Sequence, residues 1–77
     1  MLQDKYGHAI EIGHKLADRD GMVYKVVSIS EDGQEMKMHE SRKDDKVQQY
    51  DCTSRAARNM WIVSEERAAQ IVSEQDF

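Results

Sequence analysis

Hydrophobic and polar residues alternate along most of this chain and then change period near its end. Met22-Val23-Tyr24-Lys25-Val26-Val27-Ser28-Ile29 is the strongest strand pattern. A flat strand there puts Val23, Val27 and Ile29 on one face, interrupted by Lys25, and Met22, Tyr24 and Val26 on the other. Two partly apolar faces suit a central strand covered on both sides. Gln34 to Glu40 alternates more cleanly, with Met36 and Met38 on one face and Glu35, Lys37 and His39 on the wet one. Val47 to Cys52 is a weaker strand carrying Tyr50 and Cys52 on one side. Met60-Trp61-Ile62-Val63 is short and apolar, the pattern of a last core strand. Tyr24, Val27, Met36 and Trp61 are the expected centre of the core.

Turn chemistry separates these runs. Asp4-Lys5-Tyr6-Gly7, Asp18-Arg19-Asp20-Gly21, Glu31-Asp32-Gly33 and the polar run Ser41–Lys46 mark four reversals. Gly supplies the positive φ that tight hairpins need, and the chain contains no proline to do the work otherwise. Regularly spaced turns between β-branched and aromatic stretches predict a meandering antiparallel sheet. Thr53 to Asn59 has room for about one or two helical turns. After Ser64, a capping residue, Glu65 and Glu66 complement the positive end of a helix, and Ala68, Ile71, Val72 and Gln75 share one side of it. Residues 1–63 thus read as the β part and 64–76 as a C-terminal helix of one domain, with Phe77 a frayed tail or a final anchor.

The stretch from Ile10 to Ile29, with Gly13, the acidic-glycine turn at Asp18–Gly21 and the valine-rich strand that follows, resembles the opening hairpin of small SH3-like barrels. Such barrels are common among small bacterial and phage proteins. His14 stands where such sequences often carry Asp. The resemblance implies a mainly β (α+β) fold: a five-stranded barrel or strongly bent antiparallel sheet with a C-terminal helix. The aromatic stretch with which signalling SH3 domains grip proline-rich peptides is missing, so that activity is not implied.

Composition narrows the function. Hydrophobic residues are 39% of the chain and charged residues 34%, which with the clustering of the apolar positions supports one small core. No apolar run approaches the ~20 residues that span a bilayer, and no secretory leader is apparent, so neither a membrane partner nor export is expected. The one cysteine, Cys52, can form no internal disulfide, which favours a reducing cytoplasm. No nucleophile elbow, phosphate-cradling glycine loop or His-Glu-x-x-His occurs. Cys52 near one of His8, His14 or His39 is the only nucleophile and base pairing to weigh, and a cysteine on an apolar strand face is more often a small buried hydrophobe. His8 and His14 with Asp4 or Asp18 could be gathered by a turn, but their spacing enforces no metal geometry. The expectation is a protein that is not an enzyme and has no cofactor or metal.

What remains is binding. Eleven basic against fifteen acidic residues give a net charge of −4, opposite to the balance that phosphate contacts need. Lys37 and His39 on the third strand, Arg42, Lys43 and Lys46 in the next loop, and Arg55 and Arg58 beyond it are the candidate partner-binding residues. The leading expectation is a cytoplasmic interaction module of bacterial or phage origin that binds another protein or self-associates. The alternative is a nucleic-acid-associated barrel using the same cations, with Tyr24 or Tyr50 as a stacking surface. A third is an acidic inhibitor of a nucleic-acid-handling enzyme.

Overall fold

Each strong strand pattern folds as a strand, and each glycine corner folds as a turn. The computed structural model describes residues 1–75, so Phe77 lies outside the described residues. One antiparallel sheet contains β1 (Lys15–Ala17), β2 (Val23–Ile29), β3 (Glu35–Ser41), β4 (Gln49–Thr53) and β5 (Trp61–Val63). A helical turn, α1 (Ser54–Ala57), joins β4 to β5, and α2 (Glu65–Ser73) follows β5. The strands lie in the order β4-β3-β2-β1-β5: four form a meander, and the fifth returns beside the first. β4 and β5 do not pair, so the sheet stays open.

The turns hold themselves. Asp18 closes the β1–β2 corner, its Oδ1 accepting from the amides of Asp20 at 2.9 Å and Met22 at 3.0 Å, while Gly21 takes φ +80°. Asp32 does the same after β2, accepting from Gln34 N–H at 3.0 Å and from the Ser30 hydroxyl at 2.6 Å. In the β3–β4 loop the left-handed residue is Asp45, with φ 61°, one of the few side chains that tolerate that conformation.

The core differs from the expected one, and a bulge explains part of the difference. Val26 faces Met38 and Ile29 faces Met36, with a register shift between Val26 and Ser28. The extra residue, Val27, moves Ile29 onto the face of Val26 instead of the face of Val23. The main core is therefore Leu2, Ile10, Leu16, Val26, Met36, Met38, Cys52, Ala57 and Met60, with Tyr24, Ile29 and Ile62 packed against it. Of the four expected central residues only Met36 is fully buried; Tyr24, Val27 and Trp61 are half-buried. Leu2 and Ile10 enter through a small N-terminal hairpin in which Ile10 N–H donates to the Leu2 carbonyl at 3.0 Å.

The opposite face of the sheet is covered at one end by α2. Ala17 and Val23 are register partners, and both are buried, as is Ala68 of the helix, which packs on β1 and β2. Ser64 caps α2 by accepting from Arg67 N–H at 3.0 Å, and Lys15 Nζ lies 3.0 Å from Glu65 Oε2 in its first turn. At the far end, buried Gln75 accepts from Lys43 N–H at 3.2 Å and donates to the carbonyls of Gly21 at 3.3 Å and Ser41 at 3.4 Å. The apolar stripe of α2 is thus spent on its own sheet.

Candidate interaction site

An open sheet has two edges, and this molecule treats them differently. Along the outer side of β5, Lys5 N–H donates to the Met60 carbonyl at 2.7 Å, and Ile62 N–H donates to Asp4 Oδ2 at 3.1 Å. Asp4 Oδ1 also accepts from Tyr6 N–H at 2.9 Å and His8 N–H at 2.8 Å, so one carboxylate satisfies three amides. It is 3% exposed, and His8 Nδ1 stands 3.5 Å from it. Burial pushes the Asp4 carboxyl up; the Ile62, His8 and Tyr6 amides, with the nearby His8, more than offset this and hold its pKa below the usual carboxylate value. The N-terminal turn therefore seals β5.

Among the described residues, no such cover lies on β4. Glu40 N–H donates to the Gln48 carbonyl and Ser54 N–H donates to the Gln34 carbonyl, which fixes the even-numbered residues as those bonding toward β3. By the alternation of an antiparallel ladder, the backbone groups of Gln49 and Asp51 point outward. No strand among the described residues pairs with them. Val47 is 67% exposed and Tyr50 39%, so large apolar side chains stand along the same edge.

Between the two edges, where a closed barrel would have its seam, lies a cleft of about 510 Å³. Tyr24, Met38, Tyr50 and Cys52 contribute sheet residues to its wall, Arg58 and Asn59 come from the end of α1, and Trp61 stands at the β5 side. The Tyr24 and Tyr50 rings meet edge to face, 5.7 Å apart at 84°. Lys5 Nζ sits 5.7 Å from the centre of the Trp61 ring. Tyr24 donates its hydroxyl to Asp18 Oδ2 at 3.3 Å, and burial followed by the Asp18 carboxylate pushes its pKa well above the usual phenol value. Burial likewise pushes the Cys52 thiol up, away from the thiolate form that a nucleophile needs.

The six cations and one histidine singled out in the sequence fall into three places. Lys37 and His39 lie on the outer sheet face, opposite Asp51 and Gln49 on β4, and His39 also opposes Lys25 on β2. Arg42, Lys43 and Lys46 sit in the loop after β3. Arg42 binds Asp44 through two hydrogen bonds, at 3.1 and 2.9 Å, and its Nη1 lies 3.9 Å from buried Glu40. Arg55 lies in α1 and Arg58 is its C-cap, after the strand end where Thr53 opposes Glu35. Seven residues of β3 separate that end from the Arg42 loop, about 20 Å at strand rise. Only Arg58 of the seven lines the cleft.

His8 is beside Asp4, whereas His14 Nδ1 accepts from Glu11 N–H at 3.0 Å. Among the described residues no three His, Cys, Asp or Glu side chains gather as metal ligands. No helix among them is long and apolar enough to cross a membrane. Two site features escaped sequence reasoning: Asp4 as the seal of β5, and the bare edge of β4 around Asp51. The exposed Val47 and Tyr50 were the available signal for the second. No protein-family model, curated protein or solved structure matches this chain.

Proposed function

We propose that this protein is a non-enzymatic interaction module, cytoplasmic and of bacterial or phage type, that binds another polypeptide or a copy of itself at the open seam of an SH3-like small barrel. The return of β5 to β1 supports the barrel reading, because that step brings the first and last strands together as a partly closed sheet requires. The observation that carries the function is the contrast between a sealed β5 and a bare β4 beside an aromatic-walled cleft. Unpaired strand edges next to pockets are a recurrent way to capture extended chain. Binding should weaken when Tyr50→Lys is introduced and stay unchanged in Arg42→Glu/Lys43→Glu, measured by capture on the immobilised protein.

A second reading has its own support. Lys15 opposes Lys25, so two ammonium groups stand side by side across the outer face, with His39 opposite Lys25 on its other side. Like charges in direct register are unfavourable without an anion to share. Lys15 has such a partner in Glu65, and Lys37 opposes Asp51, which leaves Lys25 and His39 as the core of any phosphate contact. Nucleic-acid binding that persists at ~150 mM salt and collapses in Lys25→Glu would favour this reading over the first.

A further inference from the structure

We infer that β4 pairs antiparallel with β4 of a second copy of this chain, about a two-fold axis that sets Tyr50 against its own mate. The inference rests on the interaction-module reading and specifies its partner.

The backbone decides which registers are allowed. Gln49 and Asp51 direct their amides and carbonyls outward, so in a two-fold strand pair odd-numbered residues must face odd-numbered ones. An axis through Asp51 would place two carboxylates directly opposite each other, which is unfavourable. An axis through Gln49 would leave Thr53 beyond the paired segment. An axis through Tyr50 sets Gln49 against the partner's Asp51, an amide facing a carboxylate, and Val47 against the partner's Thr53, two β-branched residues. It also sets Tyr50 against Tyr50, so that the two exposed rings cover each other. On either side of the Tyr50 pair, this register sets no like charges opposite each other.

The sealed edge supports the same occupant. With β5 closed by Asp4 and Lys5, β4 is the one strand edge among the described residues that can pair, so joining two copies uses up both edges. The assembly stops at a closed dimer instead of growing into a fibre. The paired segment is short, so association is concentration-dependent rather than obligate.

Sedimentation of the full-length protein over a concentration series tests this directly. The expected mass rises from monomer to dimer and goes no further. Asp51→Pro, which removes an outward amide, should retain the β-sheet circular dichroism and weaken the dimer by at least about tenfold. Under mild oxidation, Tyr50→Cys should cross-link at least about tenfold faster than Asp51→Cys. Directly facing positions bring Cβ atoms within disulfide reach, whereas the two Asp51 positions lie on a diagonal ~7–8 Å apart. A wild-type monomer at every concentration, growth beyond a dimer, or faster linkage at Asp51 would overturn the inference. If the monomer still captured a foreign polypeptide in a Tyr50-dependent way, self-pairing would fail and the module reading would stand. If it captured none, both would fail.

Discussion

The outer strands β5 and β4 end the same sheet, yet one is finished like an interior strand and the other is left like an unfinished one. At β5, a buried carboxylate from the N-terminal turn takes the Ile62 amide, and the Lys5 amide meets the Met60 carbonyl. At β4, Gln49 and Asp51 present their backbone to the outside. Bare edges invite pairing with other chains, and natural sheets ordinarily blunt them. A chain that blunts one edge with a three-amide staple and leaves the other bare has an asymmetry that a purely structural sheet does not need. The charged Asp51 at the middle of the bare strand narrows what can pair there without preventing it.

The largest effect should come from breaking the seal. Asp4→Ala strands three amides, two in its own turn and one on β5, and should cost about 3 kcal/mol in urea unfolding. That is a large share of the stability of a small domain. A loss below ~1 kcal/mol would mean that water closes β5 as well as Asp4 does. The same carboxylate sets an acid limit. Its folded pKa lies below the unfolded one, so its contribution is complete above the unfolded value and is lost as pH falls through the folded value. Stability should therefore decline from about pH 4 downward, less steeply in Asp4→Asn. Asp32, held low first by the Ser30 hydroxyl, adds to this slope. Asp44 adds too: burial raises its pKa, but the Lys46 amide and Arg42 outweigh that. Asp4→Asn removes only the share of the decline that belongs to Asp4.

Away from both edges, Gln75→Ala should cost about 1–2 kcal/mol, because it unties the end of α2 from the loops at Gly21 and Ser41–Lys43. At the open edge, Asp51→Asn should change monomer stability by no more than ~0.5 kcal/mol in thermal melts of dilute protein. A penalty there as large as that at Asp4 would erase the difference between the two edges.

How much of this was legible beforehand follows from the range of each interaction. The corners at Gly21 and Gly33 and the alternation at Met36 and Met38 are local, and the sequence pattern placed them well. The Ser64 cap and the Ala68 side of α2 were equally visible. The bulge at Val27 was not, because a slip of one residue depends on what β3 offers opposite. Asp4 looked like a turn residue, and its contact with Ile62 spans 58 positions, beyond the reach of any local pattern. The candidate cations converge only if the third strand, its loop and the helical turn share one face, and the length of β3 carries Arg42, Lys43 and Lys46 to one end and Arg55 and Arg58 to the other. The bare β4 edge follows from strand order, which emerges only when β5 returns to β1.

Amide hydrogen exchange followed residue by residue in dilute protein addresses the edge asymmetry most directly. The Ile62 amide should exchange slowly, near the rate of global unfolding, while the Gln49 and Asp51 amides exchange fast and slow down as protein concentration rises. Equal protection at Ile62 and Asp51 in dilute solution would contradict the division of the sheet into a sealed edge and an open one.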